Sequence, residues 1–282
     1  MSGDETPGDD EADSRRSRDV VVVGGGVAGL SAAVFTARQG LDTLVIDDGG
    51  SLLRRNAHLE NFPGFPLGVD ARRLLDLLAE QAATAGADRL DGRATRVAAV
   101  DEGEGAQAGG DEARDDARFV VEVDADDRND RNDPGDLGDP IRTRYVVAAT
   151  KNEVGYLDGV EGVGILDRGK SYVDTDERGR TGVDGLYAAG RLAEKPHQAA
   201  VCAGHGAEVG VTLLEEDDRG FYHDWVAPDG YFTDRGRQVP PGCEEIDDDE
   251  RREREEASRE AIRERFAALH PDPQETHPSL EE

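Results

Sequence analysis

Three glycines, Gly24, Gly26 and Gly29, stand in the stretch VVVVGGGVAGLSAAVFTAR at a spacing that lets main chain touch a large anion. A diphosphate can approach backbone N–H groups only where side chains are absent, and a helix start adds free amides and a partial positive charge. Val27 and Ala28 fill the positions between the second and third glycine and open that helix. Asp47 follows 18 residues beyond Gly29, at the end of the next apolar run, where a carboxylate can accept hydrogen bonds from a ribose. The set reads as a dinucleotide cradle, against the plainer reading of a tight strand-to-helix turn with no ligand. By spacing alone it does not choose between FAD and NAD, since both carry an adenosine diphosphate.

These residues need elements to hold them. Val20 to Val23 suits a strand buried on both faces. Val27, Leu30, Val34 and Ala37 then recur at helical spacing, Gly40 is placed to end the helix, and Thr43 to Ile46 makes a second strand. A further helix is predicted in VDARRLLDLLAEQAATAG, with Asp70 as N-cap, Leu74, Leu75, Leu77 and Leu78 as its apolar stripe and Gly86 as terminator. Strands are expected at Ala94 to Val100, Arg118 to Val123 and Arg144 to Ala149, joined by two acidic, glycine-rich hairpin loops. A strand at Leu186 to Ala189 and a helix from Gln198 to Glu215 complete the pattern. The expected fold is α/β, a Rossmann-like central parallel sheet with helices plus a β-meander, over residues 19–215. Residues 1–18 are expected to be a disordered acidic tail. Residues 216–282 read as a C-terminal extension, with an aromatic patch (Phe221, Tyr222, Trp225, Tyr231, Phe232) and a charged helix from Asp247 to His270 that has a narrow stripe of Ile262, Phe266 and Leu269.

Acidic residues number 63 against 33 basic ones, and the net charge is −30. That excess argues against nucleic acid and anionic membrane as partners and suits a high-salt cytoplasm. No run is long and apolar enough for a membrane span, and the acidic start is unlike a secretory signal, so a cytoplasmic location is expected. Cys202 and Cys243 form no CxxC and imply neither a disulfide framework nor a zinc site. Cys202 reads as a buried, inert thiol more readily than as a redox group. His205 and Glu208 share a helical face, but no third metal ligand accompanies them.

Four stretches in order carry a resemblance: VVVVGGGVAGLSAAVFTAR, LENFPGFPLGVDARRLLDLLAEQA, RYVVAAT and VDTDERGRTGVDGLYAAGRLAEKPHQAAVCAGHGAEVG. Together they resemble the FAD domain of the low-molecular-weight thioredoxin reductases, within the pyridine nucleotide-disulfide oxidoreductases. The resemblance implies FAD as cofactor, with Gly24, Gly26, Gly29 and Asp47 on its adenosine half, Asn61 near the isoalloxazine, and Thr150 at the end of the third matching strand. It implies that Gly190 admits the ribityl-pyrophosphate, and that His197, Gln198 and Ala199 meet the flavin pyrimidine where a helix begins. The sequence also departs from the family. Gly190-Arg191 replaces the family's Gly-Asp, and arginine cannot accept the ribityl hydrogen bonds, although it could turn toward the pyrophosphate. Ala149-Thr150-Lys151 replaces Ala-Thr-Gly. Only about thirty residues join Thr150 to Gly185, too few for the family's NADPH unit with its CxxC.

The expectation is therefore an FAD-dependent oxidoreductase. Its electrons would come from a separate reductase, a small carrier or transiently bound NAD(P)H, and would pass to an unidentified acceptor. The alternative is a non-catalytic flavin or nucleotide binder acting as a redox sensor or assembly subunit. Analogy with the family and the stripe on the charged helix suggest a homodimer.

Overall fold

The computed structural model describes residues 17–100, 116–125 and 140–277. Strand β1 (Ser17–Val23) leads into helix α1 (Val27–Arg38), β2 (Thr43–Asp47) and helix α2 (Ala71–Thr84). Then come β3 (Asp88–Ala99), β4 (Phe119–Ala125), β5 (Ile141–Ala148), a hairpin of β6 (Ile165–Asp167) and β7 (Ser171–Val173), β8 (Leu186–Ala188) and helix α3 (Ala199–Glu216). Strands β9 (Trp225–Pro228) and β10 (Cys243–Ile246) and helix α4 (Asp248–Arg265) follow. The main sheet places β1 between β2 and β5 in parallel, with β3 beyond β2 and β8 beyond β5. β4 runs antiparallel to both β3 and β5, which makes β3–β4–β5 the expected meander. The two acidic loops that join them lie outside the described residues. β1 starts at Ser17, ahead of the expected start at Asp19, and Arg18 pairs with Asp42 at 2.6 Å and with Asp88 at 2.7 Å.

β1 shows why the fold closes. Val20 and Val22 face a core shared with α1, α2 and α3, while Val21 and Val23 face a second core formed with Leu44, Ile46, Phe119, Val146 and Leu192. Alternation with a period of two sends an all-apolar strand into both layers at once. On the first face, α1 and α3 cross so closely that a Cβ on Gly206 would fall on the Ala28 carbonyl, and one on Gly210 would lie 3.0 Å from the Ala32 carbonyl oxygen. The glycines of GHGAEVG are there for helix packing. α2 is capped by Asp70, whose side chain accepts from the Arg72 and Arg73 amides, and Gly86 follows the helix at φ 103°. Leu74 and Leu75 are buried, whereas Leu77 and Leu78 are only half-buried.

Three elements depart from expectation. GVGILDRG contains β6 of a short hairpin that turns at Gly169 (φ 77°), although three-residue strands leave too little periodicity to see. The aromatic patch contains β9, paired in parallel with β10 across the Pro-Pro-Gly turn. The charged helix ends at Arg265 and has no buried residue. Phe266 meets Phe65 at a ring distance of 6.2 Å, while Leu269 is 95% exposed and so takes no part in the expected stripe.

Candidate functional site

The parallel strands end together. The Gly24 amide donates to the Ile46 carbonyl at 2.8 Å, Ala149 to Val23 at 2.8 Å, and Ala189 to Ala148 at 2.8 Å. Their carboxyl ends open onto one cleft of about 850 Å³, the place where open α/β sheets bind ligands. Gly24, Gly26, Val27, Ala28, Asp47, Asn61, Thr150, Arg191, His197, Gln198 and Ala199 all reach it, so the fold unites residues spread from position 24 to position 199.

At one end is the glycine loop. Gly24 adopts φ 114°, and a Cβ there would lie 2.7 Å from the Ala149 carbonyl oxygen, so the turn from β1 to α1 requires glycine. Gly29 packs against the Gly24 carbonyl and lies beneath the cleft. Gly26 behaves differently. The space where its side chain would be holds nothing nearer than the Ser51 hydroxyl at 4.0 Å, and the residue caps α1 with no side-chain hydrogen bond to the first turn. The free amides of that turn therefore meet open space that any larger residue would fill, which fits a diphosphate.

Asp47 is buried. Its carboxylate accepts from the Gly49 amide at 3.0 Å and from Arg89 at 3.0 Å, and a Cβ on Gly25 would run into it. Gly25 thus joins the site by giving the carboxylate room. The signal for it was the extra glycine in GGG.

At the other end, Asn61 donates through Nδ2 to the Gln198 side chain at 2.8 Å, which couples the ENFPGF segment to the start of α3. Gln198 is the N-cap of α3 but makes no side-chain bond to its own helix, so this second helix start also presents unpaired amides to the cleft. Positive potential of this kind stabilises an anionic ring edge. Gly190 adopts φ 64° and lies behind the wall, where a Cβ would stand 2.6 Å from Ala28 Cβ. Its place is a close approach to α1, and it is not among the residues that line the cleft. Its amide donates to His205 Nδ1 at 2.9 Å, which requires the neutral imidazole with its proton on Nε2. Burial, followed by the charge of Lys195, pushes the His205 pKa down to about 4. His205 is thereby committed to the turn, and among the described residues no group of three His, Cys, Asp or Glu stands ready for a metal.

Arg191 lines the cleft but is tethered. It donates to the Tyr172 hydroxyl at 2.5 Å and to the Lys195 carbonyl at 3.4 Å, and stacks 4.9 Å from the Tyr172 ring centre. Thr150 donates to the Glu153 carbonyl at 2.6 Å and shares a hydrogen bond with the Tyr156 hydroxyl at 3.0 Å, and burial raises that phenol. Lys151 keeps the left-handed backbone of the glycine it replaces, at φ 67°.

Cys202 borders the cleft as a free, buried thiol, raised by burial and within 3.6 Å of the Pro196 carbonyl oxygen. Cys243 is also free and lies near the His223 carbonyl oxygen at 3.3 Å. The aromatic patch does not cover the cleft. Trp225, Tyr231 and Phe232 pack edge-on against one another at 4.5–5.6 Å, since the positive edge of one ring meets the negative face of the next. Residues missed from sequence include Ser51, Arg55 and Tyr156, which reach the cleft only through the fold.

Comparison with known proteins agrees with this geometry. Residues 19–61 match the family model described as FAD binding domain. Thioredoxin reductase from Streptomyces coelicolor is 39% identical over 76 residues, 26% of this chain and 24% of that protein. Thioredoxin reductase from Aquifex aeolicus is 38% identical over 77 residues, 27% and 24% respectively. The matches thus span about a quarter of these relatives. Among solved structures, a thioredoxin reductase from Gloeobacter violaceus superposes with a TM-score of 0.54 at 16% identity, covering 72% of this chain and 97% of that one. A ferredoxin-flavin thioredoxin reductase from Clostridium acetobutylicum gives 0.53 at 14%, covering 71% and 98%. The fold is the Rossmann-like FAD-binding fold of the thioredoxin reductases, and FAD is the cofactor that fits the cleft. No helix among the described residues is long and apolar enough to cross a membrane.

Proposed function

We propose that this chain is an FAD-dependent oxidoreductase of thioredoxin-reductase type, which passes electrons through a bound flavin from an external donor to a separate acceptor. The observation that carries the reading is the Asn61–Gln198 hydrogen bond at 2.8 Å, which closes the far end of a cleft whose near end is the bare Gly26 turn. A dinucleotide held by its diphosphate at α1 needs a polar seat for its second ring, and this pair, at the start of α3, supplies one.

When bound, FAD supplies the electron-carrying chemistry. The chain's own residues bind and orient it. The α1 amides and Gly26 would receive the diphosphate, and Asp47, steadied by Arg89 and the Gly49 amide, would accept from the adenosine ribose. Asn61 and Gln198 would fix the ring edge, and the α3 amides would stabilise negative charge there. The donor is a separate reductase, a small carrier or NAD(P)H held transiently, since the sequence offers one glycine fingerprint placed between a strand and a helix.

A second reading, a flavin-binding sensor or assembly subunit, draws on one observation: residues 151–185 form one 3₁₀ turn, Gly155–Leu157, and the small β6–β7 hairpin instead of a nucleotide-binding unit. Anaerobic titration of the purified yellow protein separates the two. The oxidoreductase predicts that NADPH, NADH or a reduced carrier bleaches the flavin within seconds and that an added acceptor restores it. A flavin that no donor bleaches overturns the enzyme reading and leaves the binder. Protein that retains no flavin overturns both.

A further inference from the structure

We infer that a second anion subsite lies at the mouth of the cleft, built by Arg55, Lys151 and Lys170 with His197 beside them, and that it takes the phosphate group of a small diffusible molecule. The inference rests on the flavin reading and names the chemistry of the donor or acceptor that must reach the ring.

The background is a chain of net charge −30 with three lysines, in which arginines are typically matched to carboxylates. Arg89 pairs with Asp47, Arg93 with Glu153 and Arg168 with Glu194. Among the described residues, Arg55, Lys151, Lys170 and His197 have no carboxylate within ion-pair distance. Glu153, two residues from Lys151, is already held by Arg93 at 2.6 Å. Three separate segments carry these cations, the 3₁₀ turn Leu52–Arg55, the turn after β5 and the tip of the β6–β7 hairpin; Asn152 Nδ2 donates to the Ser171 carbonyl at 3.0 Å and so holds the hairpin tip against the turn after β5, while His197 stands in the turn before α3. Arg55, Lys151 and His197 line the cleft itself.

The group repels itself. Burial first, then Arg55 and Lys170, lower the Lys151 pKa; burial first, then Arg191, Lys151 and Lys170, lower that of His197. An anion placed among them reverses the repulsion. Lys151 moreover occupies a left-handed backbone position that glycine takes without strain, so its charge stands at a position unfavourable for any side chain. The flavin's own diphosphate is provided for by the bare amides at Gly26, which leaves these cations for another anion. A concave site with low-dielectric walls focuses its field on a compact phosphate, whereas an acidic protein would approach a molecule that repels it over most of its surface.

The test uses the FAD-loaded protein and inorganic pyrophosphate as probe, with calorimetry and the flavin spectrum recorded together at low salt. The expected result is one saturable site with the flavin retained and with affinity that falls as salt rises. Each of Arg55→Gln, Lys151→Gln and Lys170→Gln weakens it roughly tenfold. Lys151→Gly, which deletes the charge while relaxing the backbone, loses the same factor, and Arg237→Gln, outside the cleft, changes nothing. The inference is overturned by absence of saturable binding, by binding indifferent to the three substitutions, or by pyrophosphate expelling FAD, which would assign the cations to the flavin cradle. It is equally overturned if pyrophosphate does not bind while the same substitutions slow flavin reduction by an acidic carrier protein. Failure to retain FAD before any titration is failure of the parent reading and is seen separately.

Discussion

The two ends of the molecule are held by different forces. Around the cleft, main chain packs on main chain: Gly29 on the Gly24 carbonyl, Gly206 on the Ala28 carbonyl, Gly24 against Ala149. The C-terminal extension is attached mainly by exposed side-chain charge, with Phe266 against Phe65 and Phe221 against the core beside it. Arg38 reaches Asp224 at 2.5 Å, Arg265 reaches Glu80 at 2.7 Å and His270 reaches Asp76 at 2.8 Å, and α4 buries none of its residues. Backbone contacts tolerate no added atom and are indifferent to salt. Exposed ion pairs tolerate substitution and weaken as counterions screen them.

The sharpest way to break the contrast is to add carbon where backbones touch. Gly206→Val should cost roughly 4 kcal/mol or more, because α3 and Ala28 cannot both keep their places. The measurement is denaturant unfolding, and wild-type stability would remove backbone packing as the distinguishing feature. Gly26→Leu is the next test. Its side chain enters open space, so the fold should survive by circular dichroism while FAD affinity falls about a hundredfold or more, read from flavin retained after gel filtration.

A pH series sharpens the comparison within the cleft region. Because the His205 pKa is pushed down to about 4, the unfolded chain gains a proton below about 6.5 that the native state refuses. His205 therefore contributes its full stability above about pH 6.5 and loses it as pH falls toward 4, with an amplitude on the order of 3 kcal/mol. His205→Gln keeps an acceptor for the Gly190 amide and should flatten that slope, whereas His205→Leu should cost about 1–3 kcal/mol above about pH 6.5 and progressively less below it, because it too removes the titrating group. A wild-type acid limb that survives unchanged in His205→Gln would assign the slope to other groups.

The smallest effect belongs to the extension. Arg38→Gln breaks the pair with Asp224 and should cost about 1 kcal/mol or less at low salt and nothing measurable in molar salt. A loss that persists in molar salt would show that the extension is held by packing after all.

Much of the cradle was legible because it is local. The glycine spacing, Val20 to Val23, the Asp70 cap and Asp47 are all read within a few turns of chain, where period and capping chemistry leave direct marks. The extension was harder. Its parallel β9–β10 pair joins four-residue strands, and the end of α4 depends on where Phe65 and Glu80 happen to lie. Gly190 shows the same limit, since only the position of Ala28 reveals its close approach to α1.

By itself the sequence determined a strand-turn-helix able to receive a diphosphate, the meander, and the likeness to one flavin-binding fold, because each is encoded by residues that are neighbours along the chain. Only the tertiary structure decided that Asn61 meets Gln198, that Gly25 makes room for Asp47, and that Arg55 and Lys151, unpaired cations from separate segments, line one cleft. The first of these contacts joins positions 137 apart. Closure of the sheet and the crossing of α1 with α3 bring them together, and spacing along the chain carries no record of such distances.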